Sequence, residues 1–63
     1  MNVGDKRIVQ INWNVNGQDV IPKGTLIEVT EVLPGGGMFV RSDENDHPYI
    51  VTTFDLEEYT RPA

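Results

Sequence analysis

Apolar side chains recur at every second position over short runs of this chain, without the three-to-four spacing of a long helix. Short β-branched runs cut by turn residues predict an all-β fold. In RIVQINWNV, Val9, Ile11, Trp13 and Val15 alternate with Gln10, Asn12 and Asn14, which predicts one strand turning its apolar face to a core. NGQDVIPKG is rich in turn formers: Asn16-Gly17 suits positive φ, and Pro22 and Gly24 punctuate the approach to the next strand. TLIEVTEVL predicts a strand with Ile27 and Val29 inward and Glu28 and Thr30 outward. Val32 falls out of that register, so a bulge is expected near Thr30 and Glu31. MFVRS and YIVTT predict two more strands, separated by the polar loop DENDHP. FDLEEY fits one short helical turn, capped by Thr52 or Thr53, before the chain leaves through TRPA.

The stretch VLPGGGMFV raises the question of a phosphate-binding loop. Such loops lead from a strand into a helix whose first amides face the anion, and a P-loop ends in Lys then Ser or Thr. Here Gly35, Gly36 and Gly37 are followed by Met38, Phe39 and Val40, which read as a strand, and no lysine follows. The glycines are expected to bend one strand into the next, supplying backbone angles that other residues resist.

From Ile21 onward the order of features resembles a Src-homology-3-like small barrel. IPKGTLIEVTEVL is similar to the segment of that family in which a Lys-Gly turn leads into a strand ending in a bend. GGMFVRS stands where such domains place an aromatic-led strand, and HPYIVTTFDLEEY resembles the closing strand, one-turn helix and last strand. The resemblance implies an all-β, five-stranded Src-homology-3-like barrel over residues 1–63, with one short helical turn near the C-terminus. Signalling members of that family bind proline-rich peptides in an aromatic groove. Here Met38-Phe39 replace a tryptophan pair, Val51 replaces the groove proline, and Phe54 replaces a tyrosine whose hydroxyl would hold the ligand. Proline-rich recognition is therefore not expected.

Composition narrows the picture. At 63 residues, the chain is sized for a single domain with a small core. It has no cysteine, so neither disulfides nor a thiolate zinc site can brace it. The opening MNVGDKRIVQ lacks the apolar run of a secretory leader, and a cytoplasmic setting is expected. The formal charge is −5. Residues 1–42 balance, with four acids and four bases, whereas residues 43–63 hold six acids against Arg61 alone. Five basic residues in all make general nucleic-acid binding a poor expectation, since phosphate contacts come mainly from Lys and Arg.

Little here suggests catalysis. His47 is the single histidine, with Ser42 and several acids close in sequence. A nucleophile–base–orienter set also needs a pocket and an oxyanion donor, which a loop on a small barrel does not offer. Asp43, Asn45 and His47 mimic the start of a calcium loop, but Pro48 and Phe54 occupy the positions that need Gly and Glu. No catalytic residue, metal site or cofactor is expected. Ile27, Val29, Val40, Ile50 and Leu56 are the expected core, joined by Trp13.

If Val40 and Ile50 face inward, then Phe39, Tyr49 and Val51 face outward, flanked by Phe54 and Tyr59. An aromatic cluster rimmed by Asp43, Glu44, Asp46, Glu57 and Glu58 would suit a protein partner. The same rings would equally complete a thin core. The leading expectation is a non-enzymatic protein–protein interaction module whose candidate contact residues are Phe39, Tyr49, Val51, Phe54, Tyr59, Asp43, Glu57 and Glu58. One alternative is a small acidic inhibitor or regulator, phage-encoded for instance, that occupies a basic surface of a host protein. Another is a nucleic-acid-binding barrel, which would need Lys6, Arg7, Lys23 and Arg41 on one face with Trp13 or Phe39 for stacking. No membrane association is expected, and open sheet edges leave pairing with a second copy as an option.

Overall fold

The computed structural model describes residues 1–15, 17, 19–43 and 47–63. Among the described residues, seven strands and one helix follow in the order β1 (Lys6–Val9), β2 (Trp13–Val15), β3 (Asp19–Ile21), β4 (Leu26–Val32), β5 (Gly37–Ser42), β6 (Pro48–Thr52), α1 (Thr53–Tyr59) and β7 (Thr60–Pro62). Five strands form an antiparallel sheet in the order β6-β5-β4-β1-β7, and β2 with β3 forms a separate hairpin. The fold is mostly β with one short helix. Its two edge strands, β6 and β7, do not pair with each other, so the sheet is open.

The run RIVQINWNV is therefore two strands rather than one. A bend at Ile11 separates β1, which belongs to the sheet, from β2, which belongs to the hairpin. The bend breaks the alternation. Val9, Trp13 and Val15 are buried, whereas Ile11 is 51% exposed. Asn16, at the expected positive-φ turn, lies outside the described residues, while its neighbour Gly17 adopts φ +70°.

Register along β4 follows the sequence reading. Ile27 and Val29 are buried and Glu28 and Thr30 exposed. Val29 pairs with Val40, but the next pair is Glu31 with Phe39, which leaves Thr30 as the extra residue of a bulge. Thr30 Oγ1 donates to the carbonyl of Phe39 at 3.3 Å, giving the bulge a local anchor. The proline–glycine stretch joins β4 to β5 as a hairpin. The Leu33 amide donates to the Gly37 carbonyl at 2.8 Å, and Gly35 and Gly36 take φ of +89° and +95°. Residues with a Cβ rarely adopt such angles, so glycine fills both positions.

The core lies between the inner face of the sheet and the hairpin that covers it. The sheet contributes Val9, Ile27, Val29, Met38, Val40, Tyr49 and Val51; the hairpin adds Trp13, Val15 and Ile21; α1 adds Leu56. The same hairpin is tied to α1 and to the sheet through rings. Trp13 stacks on Tyr59 with centroids 5.4 Å apart, and the Tyr49 hydroxyl donates to Asp19 Oδ2 at 3.1 Å. Among the described residues no helix is long and apolar enough to cross a membrane.

Candidate functional site

The short helix α1 presents the most exposed large apolar side chain among the described residues. Thr52 caps it, its hydroxyl accepting from the Asp55 amide at 3.1 Å, and Asp55 adds negative charge to the first turn, where the helix dipole favours it. Leu56 is fully buried and fixes which side of the helix faces the core. Phe54 consequently points away and is 72% exposed. Glu57 and Glu58, three and four residues on, share that outward face and are exposed.

The far end of α1 is held by a polar cluster around Thr60, which is buried. Its hydroxyl donates back to the Leu56 carbonyl and accepts from Arg7 Nε at 2.7 Å. Arg7 Nη2 and Gln10 Nε2 both donate to the Thr60 carbonyl at 3.2 Å, while the Gln10 amide donates to the Tyr59 carbonyl at 2.9 Å. With Tyr59 also stacked on Trp13, α1 is fastened at both ends. Phe54 is thus an apolar ring on a fixed support.

A second exposed face lies on the outside of the sheet. Phe39 is half-buried and stands directly opposite Ile50, which is 49% exposed. Glu31 pairs with Phe39 on its other side. One row along, Lys6, Glu28 and Arg41 are cross-strand neighbours, so an acid separates two bases. Beside that row, a hollow of about 360 Å³ is lined by Leu26, Ile27, Glu28, Thr30, Arg41, Ser42 and Asp43.

The eight expected contact residues therefore do not form one patch. Phe54, Glu57 and Glu58 stand together on α1. Phe39 lies on the outer sheet face, and Asp43 borders the hollow beside Arg41. Tyr49 and Val51 correct the expectation: they are 5% and 4% exposed and belong to the core, whereas Ile50 faces out. Alternation fixes which residues share a face but leaves open which face is buried. The Tyr49 ring is buried in the core, its hydroxyl reaches Asp19 on the hairpin, and it packs nearly perpendicular to the His47 ring with centroids 5.1 Å apart. Tyr59 is half-buried against Trp13, and Trp13 is core as expected.

Ile50, like Ile11, is an exposed residue that sequence reasoning missed, since a Tyr-Ile-Val run is apolar in either phase. Glu44 and Asp46, expected on the acidic rim, lie outside the described residues, as does Asn45 of the calcium-like spacing. Ser42 is buried opposite Ile27, while His47 is exposed against the Tyr49 ring. The four bases considered for nucleic acid do not collect on one face: Arg7 turns inward to Thr60, and Lys6 and Arg41 flank Glu28. Comparison of the chain with protein-family models, curated proteins and solved structures found no match.

Proposed function

We propose that this chain is a non-enzymatic protein-interaction module and that the outward face of α1 makes the principal contact. One observation carries the proposal: Phe54 is 72% exposed on a helix whose opposite side is locked into the core. A ring carried on a fixed backbone leaves only its own side-chain rotation to be lost on docking, a small cost for a large apolar anchor. The cross-strand pair of Phe39 and Ile50 offers a secondary apolar contact on the outer sheet face.

The proposal includes the small Src-homology-3-like barrel as scaffold. The strand order β6-β5-β4-β1-β7, the long excursion between β1 and β4 that carries the hairpin, and the single helix before the last strand support that reading. A cytoplasmic setting accords with the cysteine-free composition.

A second reading is favoured by the company Phe54 keeps. With Glu57 and Glu58 on the same face and a net charge of −5, the contact surface suits a basic partner, as in an acidic regulator of another protein. Both readings are tested by retention of proteins from native cell extract on the immobilised chain, with Phe54→Ser and the pair Glu57→Lys/Glu58→Lys as controls. The module reading expects a protein retained by the native chain and lost with Phe54→Ser. The acidic-regulator reading further expects loss with the charge reversal and weakening by salt. Identical retention by the native chain and both variants rules out the α1 face.

A further inference from the structure

The outer face near β7 carries a second hollow, of about 240 Å³, with a different chemistry from the rest of the surface. Its walls are Ile8, Val9, Gln10, Lys23, Gly24 and Arg61. Among the described residues, two cations and no carboxylate line it, in a chain whose net charge is −5. The larger hollow is unlike it, because there Glu28 and Asp43 flank Arg41.

The two cations reach this place from distant parts of the sequence on a well-fixed frame. Arg61 on β7 stands opposite Ile8 on β1. Lys23 sits in the turn before β4, which is bonded to β1 by the Gly24 amide donating to the Val9 carbonyl at 2.7 Å. The Lys23 amide donates to Asn12 Oδ1 at 2.9 Å, and the Thr25 amide closes the turn on the Pro22 carbonyl at 3.2 Å. The spacing of the two bases is therefore set by the sheet and the turn rather than by chance approach of two loops.

We propose that this hollow binds a carboxylate carried on a short apolar group. A guanidinium presents a planar fork that matches the two oxygens of a carboxylate, and an ammonium lining the same hollow adds a point charge. Ile8, which lines the same hollow opposite Arg61, favours an organic anion with an apolar body over a fully hydrated inorganic one. The acidic character of the whole molecule repels polyanions at long range, while a single carboxylate meets two cations at close quarters. The free C-terminus of a polypeptide and a small branched carboxylic acid share this chemistry. The site is separate from α1 and does not depend on the reading of that helix.

The test is an NMR titration of the isotopically labelled full chain with four probes: N-acetylvaline, 3-methylbutanoate, N-acetylvalinamide and inorganic phosphate. Saturable shifts of the Gln10, Gly24 and Arg61 amides are expected with both carboxylates and not with the amide. Tighter binding of N-acetylvaline assigns a polypeptide end, and equal or tighter binding of 3-methylbutanoate assigns a free acid. In Lys23→Gln/Arg61→Gln, affinity should fall by about tenfold or more, which is ~1.4 kcal/mol. Both residues are exposed, so the spectrum elsewhere should stay that of the native fold. Absence of saturable shifts, equal shifts from the amide or from phosphate, or full affinity in the double variant would each overturn the proposal.

Discussion

Two aromatic residues show how differently the same kind of side chain is used. Trp13 is 4% exposed and stacked on Tyr59, while Phe54 is 72% exposed. Truncating a buried ring typically costs about 3–5 kcal/mol, whereas exposed positions away from special features stay within about 0.5 kcal/mol. A chain of this length holds only about 3–9 kcal/mol in total, at ~0.05–0.15 kcal/mol per residue. Trp13→Ala should therefore lose at least about a third of the total stability, with a large fall in the urea midpoint, and Phe54→Ser should match the native midpoint. A stable Trp13→Ala would mean that the hairpin does not cover the core. Tyr49 gives a finer test. Its hydroxyl bond to Asp19 should be worth about 1 kcal/mol, so Tyr49→Phe should lower stability by that much while keeping the ring's packing. No loss of stability in Tyr49→Phe would show that the ring is placed by packing alone.

The elements legible in the sequence were those set by local rules. The bulge at Thr30, the glycine hairpin and the Thr52 cap all follow from residues within a few positions of each other. The β6 phase and the fate of Ile11 did not, because both depend on what lies across the core. Ile11 sits in a bend between strands of different sheets, and Tyr49 and Val51 rather than Ile50 pack against core residues distant in sequence, with Asp19 meeting the Tyr49 hydroxyl. The same gap divided the expected contact surface: the short helix that carries Phe54, Glu57 and Glu58 was legible, whereas their separation from Phe39 and the exposure of Ile50 were not. Gly36 allows the local rule to be measured on its own. A Cβ built there meets no atom within 4 Å, yet φ is +95°. Gly36→Ala should thus destabilise by more than about 1 kcal/mol through backbone conformation alone. Chemical denaturation reads this directly, and a neutral substitution would mean that the turn relaxes to negative φ.

At the scale of the whole molecule, the hairpin β2–β3 decides whether the open sheet behaves as one cooperative body. A two-stranded hairpin alone is at best marginally stable in water, and a sheet with one face uncovered would expose Val29, Met38 and Val40. Each needs the other. Trp13, Val15 and Ile21 fill the inner face of the sheet, and the Trp13–Tyr59 stack ties the hairpin to the end of α1, where Thr60 gathers Arg7 and Gln10. The same linkage holds Phe54 outward, so a detached hairpin would also loosen the proposed contact face. Hydrogen exchange distinguishes a docked hairpin from a detachable one. The hydrogen-bonded ladder amides of β2 and β3 should exchange only through global unfolding, with the same free energy as those of β4 and β5. Faster exchange confined to the hairpin would show it opening on its own, and Phe54 would then sit on a support that moves.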